Sequence, residues 1–218
     1  MELDHLFVFI APDGPEPKRL ESLGFEVNVR RSHPGQGTRN VCYVFDNAYL
    51  ELLWLVDEAE ARSPAVGRTQ LAERARWREN AASPLGIALR GYGPQAPLPF
   101  KTWDYHPPFR PGGRKVLPIA AFSDDLAQPL VFGSPGDLRP DHWPEERQSG
   151  RQRALRIREI ETVEVILPAA VAPAEELQAL AHHGLLKLSS GPAQGIVLTL
   201  SRDDGAPLRL SLPDCVLL

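Results

Sequence analysis

The sequence predicts an α+β fold built from repeated βαβββ modules. Short apolar stretches of strand length dominate the chain, and few segments have the apolar spacing of a helix. The order strand, helix and three strands occurs at both ends of the chain, and each time a glycine ends the helix. With 218 residues and 43% hydrophobic composition, the chain can form one compact domain or two small ones.

The first module is predicted over residues 1–57. Its helix begins near Pro15, because proline suits the first helical turn, and ends at Gly24, which suits a left-handed cap. A loop over residues 32–37 precedes the third strand. The predicted strands cover residues 3–10, 25–29, 38–45 and 49–56.

A less regular unit follows and completes a first domain, predicted over residues 1–135. It contains a helix over 69–80 and then a second module over 84–135. The stretch 91–113 is rich in proline and aromatic residues, which favours an ordered loop. Residues 136–153 are polar and are predicted to form a surface crossover. The strands of the second module are predicted at residues 85–90, 115–122 and 130–132.

The C-terminal module, residues 154–218, repeats the order of the first. Its helix is predicted over residues 173–183, and Gly184 follows as the cap. A turn at Asp203-Asp204-Gly205 joins the last two strands. The four strands are predicted at residues 157–167, 185–188, 195–201 and 207–212.

Composition excludes several classes of function. The 24 basic and 28 acidic residues are spread without long blocks of one sign, so we expect no nucleic-acid partner. The apolar runs are too short to span a bilayer, and no leader pattern precedes the first strand, so we expect a soluble, cytoplasmic protein. Cys42 and Cys215 lack the spacing of a zinc or redox motif and are expected to be reduced bystanders.

His5 and Glu51 are the strongest candidates for catalysis or metal binding, because each interrupts a strand that is otherwise apolar. Alternation along a strand puts His5 on one face with Phe7, whereas burying Glu51 without a partner would cost several kcal/mol. The equivalent positions of the C-terminal module carry Thr162 and Arg209. Only the first module therefore has residues for chemistry; a structural pairing of His5 with Glu51 is the alternative.

Two further groups are candidates for substrate binding. His33, Arg39 and Asn40 could contact an anionic ligand at the mouth of a cleft, or serve only turn chemistry and a solvated edge. Trp103 and His106 lie in an aromatic segment that could close over an organic substrate, or form only a packed loop. The other members of this segment are Phe100, Tyr105, Phe109, Arg110 and Arg114.

The first module resembles the vicinal oxygen chelate superfamily, and within it the glyoxalase-like domain proteins. The resemblance is carried by Leu3-Asp4-His5, by the loop His33-Pro34-Gly35-Gln36-Gly37-Thr38-Arg39-Asn40, and by Tyr49-Leu50-Glu51-Leu52. It implies that the modules form a half-barrel of the glyoxalase and bleomycin-resistance kind, around a cleft that holds a divalent metal.

His5 and Glu51 match two metal-ligand positions of that superfamily, which implies one zinc, nickel, manganese or iron ion. The second pair of ligands is missing, because the matching positions are Gly86 or Ile87 and the strand Leu130-Val131-Phe132. A metal-free cleft is therefore an equal alternative. The histidines that could replace the missing ligands lie in loops: His33, His106 and His142.

The resemblance implies an enzyme acting on a small organic molecule, a lyase, isomerase or dioxygenase, and a homodimer. The alternative is a non-catalytic protein that binds and sequesters a small molecule, as resistance proteins of the superfamily do. A third possibility is a degenerate domain kept for protein contacts.

Overall fold

The computed structural model describes residues 1–110 and 116–218, so Arg114 and Lys115 lie outside it. The mixed α+β fold class is confirmed: two open sheets dominate, with short helices between their strands. In the described part of the chain, no helix is long and apolar enough to cross a bilayer.

The first sheet contains eight strands and joins the first and second predicted modules. The strands are β1 (Glu2–Phe9), β2 (Val29–His33), β3 (Thr38–Val44), β4 (Tyr49–Leu55), β5 (Leu85–Arg90), β6 (Thr102–Tyr105), β7 (Leu117–Ala120) and β8 (Leu130–Gly133). Their order across the sheet is β2-β3-β4-β1-β5-β8-β7-β6. β1 lies near the middle, parallel to β4 and antiparallel to β5, so both modules meet beside it.

The second sheet contains the five C-terminal strands. They are β9 (Ile157–Pro168), β10 (Lys187–Gly191), β11 (Gly195–Arg202), β12 (Gly205–Leu212) and β13 (Val216–Leu217), in the order β10-β9-β11-β12-β13. The α-helices are α1 (Glu16–Ser22), α2 (Glu58–Ala61), α3 (Leu71–Ala75), α4 (Trp77–Asn80) and α5 (Glu175–His182). Short 3-10 turns lie at Gly67–Thr69, Ala121–Asp124, Pro140–His142 and Glu145–Arg147.

β1 is buried on both faces, because the two faces of the first sheet pack against different layers. Leu6 and Val8 belong to the larger core, which includes Val163 of the second sheet. Phe7 and Phe9 point to the other side, into a smaller cluster formed within the first sheet and by α3. The C-terminal module therefore covers the back of the sheet whose front carries the candidate site.

The second strand is displaced from its predicted position at residues 25–29, and that prediction is wrong. The ladder begins only at Val29, although Phe25 is buried in the core. The backbone N–H of Glu26 donates to the side-chain oxygen of Gln152 at 2.8 Å, and the Glu26 carbonyl accepts from its amide at 2.9 Å. A buried side chain of the crossover thus replaces a strand partner for this segment.

The helix predicted over residues 69–80 is broken into α3 and α4. Gln70 has a positive φ of 56°, and Arg76 leaves helical geometry with φ -99° and ψ 23°. After this break, Trp77 Nε1 donates to the carbonyl of Phe9 at 3.1 Å. Tertiary hydrogen bonding has therefore overridden a continuous helical pattern.

The second module departs most from its prediction. Residues 91–113, expected to form a loop, contain β6, which pairs with β7. The strand expected at 115–122 covers only Leu117–Ala120 and continues as a 3-10 turn, while its expected first residue lies outside the described part. In the C-terminal module, β9, α5, β11 and β12 are confirmed, whereas β13 was not predicted.

Candidate active site

A cavity of about 350 Å³ opens on the face of the first sheet that the C-terminal module does not cover. Its lining is mixed: apolar side chains form much of the wall, and a few polar groups converge on it. The apolar members include Phe7, Leu53, Leu71, Ile119, Leu130 and Phe132, and the polar members include His5, Arg31, His33, Gln36, Glu51, Tyr105 and Arg110.

His5 is held between aromatic rings at the centre of the sheet. Its imidazole stacks on Tyr49, with ring centroids 4.4 Å apart and planes at 14°, and meets the edge of Phe132 at 5.4 Å. The register pairs His5 with Tyr49 on one side and with the small Ala88 on the other. The ring is therefore fixed in orientation and only 9% exposed.

Asp4 holds the other side of this imidazole, since its Oδ2 lies 2.6 Å from His5 Nδ1. Adjacent residues of a regular strand point to opposite faces, but the pairing with β5 shifts register between Leu3 and His5. This irregularity brings the two side chains together. The bulge leaves no local pattern in the sequence, so the contact between Asp4 and His5 was not predicted.

Asp4 remains a carboxylate despite being buried. Burial pushes the pKa of Asp4 upward, but hydrogen bonds from His5 and Ser134 and the charges of His5 and Arg90 together hold it below its usual value. Arg90 is 2% exposed, and its Nη1 lies 3.7 Å from Asp4 Oδ1. Because Asp4 accepts a hydrogen bond, His5 carries its proton on Nδ1 when neutral.

The remaining ring nitrogen, His5 Nε2, is free to accept a proton. It has no hydrogen-bond partner in the described part of the chain, and it is not among the polar atoms sealed from solvent. An imidazole oriented by a carboxylate and open at Nε2 is the arrangement of a general base.

Glu51 lies beside His5 on the neighbouring strand. The β1–β4 register pairs Glu51 with Phe7 and Tyr49 with His5, so the side chains of Glu51 and His5 are diagonal neighbours on one face. Glu51 is 8% exposed and lines the cavity. Burial, with the charge of Glu51, raises the pKa of Cys42 far above its usual value, so this thiol stays protonated.

The residues present do not fit a metal centre with three or four protein ligands. Across residues 1–110 and 116–218, no group of three or more His, Cys, Asp or Glu side chains is arranged to hold an ion. A side chain at Gly86 would collide with Phe7, and the β8 positions are apolar. Of the three loop histidines considered as replacements, His33 lines the cavity, whereas His106 and His142 do not.

His33 is the third predicted site residue that lines the cavity. It ends β2, and its Nδ1 lies 2.9 Å from Thr38 Oγ1. Burial lowers the pKa of His33 below its usual value; Glu51 opposes this effect, whereas Arg31 and Arg110 add to it. His33 is therefore a neutral imidazole at pH 7.

Four predicted substrate-binding residues are not brought to the cavity. Arg39 follows Thr38 on β3 and so points to the opposite face, where it is exposed. Asn40 is buried, and neither of its amide atoms has a partner among the described residues. Trp103 lies under the guanidinium of Arg68, at 4.3 Å. The fourth, His106, is exposed on the loop after β6.

The structure adds site residues that sequence reasoning did not assign. Tyr49 and Asp4 hold His5, Gln36 contributes to the wall near His33, and Arg31 lies at the mouth. Asp4 and Tyr49 stood within the motifs that carried the family resemblance, which is the signal that could have singled them out. From the aromatic segment, the wall includes Tyr105, Phe109 and Arg110.

Comparison with known proteins gives one family match. Residues 3–95 match the model of the family described as glyoxalase-like domain. No curated protein matches the chain significantly.

Two solved structures resemble the chain at low identity. One is a variant of the Streptomyces coelicolor methylmalonyl-CoA epimerase in complex with 2-nitronate-propionyl-CoA, 17% identical, with a TM-score of 0.37, covering 62% of this chain and 99% of its own. The other is a methylmalonyl-CoA epimerase in complex with methylmalonyl-CoA and NH4+, 17% identical, with a TM-score of 0.38, covering 64% of this chain and 98% of its own.

Proposed function

Because residues 3–95 match the model of the glyoxalase-like domain, we propose that this protein binds a small organic molecule in the cavity and moves a proton on it, as an isomerase or lyase. One observation carries the proposal. A buried carboxylate, Asp4, lies 2.6 Å from Nδ1 of His5, whose other nitrogen is open on a cavity with apolar walls. Such a pair is suited to removing a proton from carbon next to a carbonyl group.

His5 is the proton acceptor in this scheme. When Nε2 takes a proton, the ring becomes an imidazolium whose charge lies directly against Asp4. Arg90 in turn favours the ionised form of Asp4. Tyr49 and Phe132 prevent the ring from turning away from the bound molecule. Proton transfer by a side chain positioned in this way contributes roughly 100- to 10,000-fold to a rate.

Glu51 is the second acid–base group. An isomerase needs one group to take a proton and another to return it, and Glu51 is the diagonal neighbour of His5 on the same face. A lyase uses the same two groups to remove a proton and to protonate a leaving group. The apolar wall around them restricts water near the reacting carbon.

A divalent metal enters no step of this proposal. A divalent metal of the kind that the family resemblance implies would supply a Lewis acid for an enolate oxygen, but His5 and Glu51 give two donors where three or four are the rule. The enolate oxygen that forms when the proton leaves would then be stabilised by hydrogen bonds and charges of the protein's own side chains.

Proton exchange in deuterated water tests the proposal without a known substrate. Small 2-oxo acids, hydroxyketones and acyl thioesters are incubated with the protein, and loss of the α-proton signal is followed by NMR. We expect exchange with at least one class, and a fall of roughly 100-fold or more in His5→Gln. Arg39→Gln is the matched control, because Arg39 lies on the other face. Equal rates in His5→Gln and the control would refute the assignment.

Non-catalytic binding is the second candidate function, favoured by the apolar wall and by the incomplete donor set. The same compounds, tested by thermal shift, distinguish it. If a compound raises the melting temperature of the protein, and none of the compound classes shows α-proton exchange, the protein is a binding protein and not an enzyme.

A further inference from the structure

A buried chain of hydrogen bonds leads to His33 from the opposite wall of the cavity. Tyr105 OH donates to Gln36 Oε1 at 2.7 Å, and Gln36 Nε2 donates to Thr38 Oγ1 at 2.9 Å. The last link joins Thr38 Oγ1 and His33 Nδ1 at 2.9 Å. This chain connects β6 of the second module with β2 and β3 of the first.

The hydrogen bonds of this series can run in one direction in which every donor has an acceptor. Tyr105 keeps its proton, since burial raises the pKa of its hydroxyl well above the usual value. Thr38 accepts from Gln36, so its own proton needs an acceptor, and His33 Nδ1 is the one within hydrogen-bonding distance among the described residues. A buried hydroxyl proton left unpaired would be costly, so His33 Nδ1 is the acceptor.

The tautomer of His33 follows from this direction. A neutral imidazole with an accepting Nδ1 carries its proton on Nε2. That nitrogen has no protein partner within residues 1–110 and 116–218, and it is not among the sealed polar atoms. His33 therefore offers a fixed N–H donor to the cavity, whereas His5 offers an acceptor at its own Nε2.

Positive charge accompanies this donor. Arg31 and Arg110 line the same part of the cavity, and both act on His33. In the described part of the chain, no carboxylate lies within 4.0 Å of either guanidinium. Glu51 is the opposing charge at this wall, so the formal charges acting on His33 are two positive and one negative. A donor N–H beside unpaired guanidinium groups suits an anionic oxygen.

We propose that the His33 end of the cavity is a carboxylate subsite, in which His33 Nε2–H donates to one carboxylate oxygen and Arg31 and Arg110 supply the countercharge. The ligand is then an organic acid with an apolar body, which would lie against Leu53 and Leu71. This inference adds a substrate class to the proposed function. It rests on the proposed function in one respect, that the ligand binds in the cavity.

The first test reads the tautomer. In protein labelled with ¹⁵N at histidine, two-bond correlations identify the protonated ring nitrogen. The expected result is a His33 ring protonated on Nε2, changing to a mixture of tautomers in Thr38→Val, which removes the hydroxyl donor. Thr38→Ser keeps the hydroxyl and should restore the wild-type pattern. A His33 ring protonated on Nδ1 in the wild-type protein would overturn the inference.

The second test measures ligand binding by the NMR shifts of the His33 signals. The probes are 3-phenylpropionate, its neutral isostere 3-phenylpropionamide, and the smaller carboxylates acetate and butyrate. The acid should bind at least tenfold more tightly than the amide. Arg31→Gln should reduce that preference about tenfold, and Arg39→Gln, the same charge change on the other face, should leave it unchanged. Equal affinity for acid and amide, or no response of His33 to any of the four probes, would contradict the subsite.

The two tests fail independently of the proposed function. A protein that prefers the acid through His33 but exchanges no α-proton retains the subsite and loses the enzyme. Exchange that depends on His5, with no preference for the acid, retains the enzyme and removes the subsite.

Discussion

The ring of Phe7 covers Gly86, so closely that a Cβ atom added to Gly86 would lie 1.9 Å from Phe7 Cε1. The register pairs the two residues across β1 and β5, in the same row as Glu51 on β4. The position at which the second module could present a metal ligand is therefore filled by an aromatic ring from the first. At this position the floor of the cavity is packed with hydrocarbon and offers no polar donor.

Gly86→His tests this relationship. The single substitution should destabilise the fold by about 1–3 kcal/mol, because the new side chain overlaps Phe7. Phe7→Ala combined with Gly86→His removes the overlap and brings a third donor near His5 and Glu51. Urea denaturation measures the first effect, and titration with zinc measures the second. Zinc binding by the single variant at full stability would contradict the steric account.

Asp4→Asn tests the orientation of His5. The substitution keeps the shape of the side chain but removes its charge, so an imidazolium formed at His5 would lose its partner. We expect α-proton exchange to fall by roughly 100-fold or more, with little change in ligand affinity. Asp137→Asn, a change of the same type on an exposed loop residue, is the control. A fall in affinity with an unchanged exchange rate would exclude an orienting role.

Asp4→Asn also tests how the free energy of unfolding depends on pH. The folded-state pKa of Asp4 lies below its ordinary value of 3.8, so the ionised carboxylate stabilises the folded protein above that pH. This stabilisation is lost as the pH falls through the folded pKa. The difference in unfolding free energy between the wild-type protein and Asp4→Asn should therefore shrink as the pH is lowered from 6 toward about 3. A difference that is constant over this range would show that the charge contributes nothing.

Arg74 is expected to be essential for stability. Its guanidinium is fully buried and donates to the carbonyls of Ser83, Ser123 and Gln128, at 2.7–3.2 Å. Burial lowers the pKa of Arg74 to about 10, so it stays charged at pH 7.

Replacing Arg74 by Met leaves those three carbonyls without a donor and should cost about 3 kcal/mol or more, measured by urea denaturation. Arg76→Met is the matched control, since within residues 1–110 and 116–218 Arg76 is paired only with the exposed Glu79. Its effect should stay below about 1 kcal/mol. Equal effects of the two substitutions would contradict the role of the buried bonds.

The sequence predicted those elements whose apolar pattern agrees with their final packing. β1, β3, β4 and β5 were placed within one or two residues because their alternation is matched by burial in the structure. β2 was misplaced because Gln152, more than 100 residues away, bonds to Glu26. Such a contact leaves no local pattern for sequence reasoning to use.

The candidate site, like the fold, was predictable only in part. His5 and Glu51 were recognisable as polar residues in apolar strands, and both line the cavity. Asp4 was not, because its reach to His5 depends on a register shift that one strand alone does not reveal. Arg39 illustrates the opposite error: its motif was informative, but strand alternation points its side chain away from the cavity.

The double burial of β1 has a dynamic consequence. The strand that supplies Asp4 and His5 has paired neighbours on either side and a packed layer above and below it, so it cannot open without disrupting both sheets. Its backbone amides should therefore be among the slowest to exchange with deuterium. Asp4 and His5 are thus held on a rigid segment of the sheet.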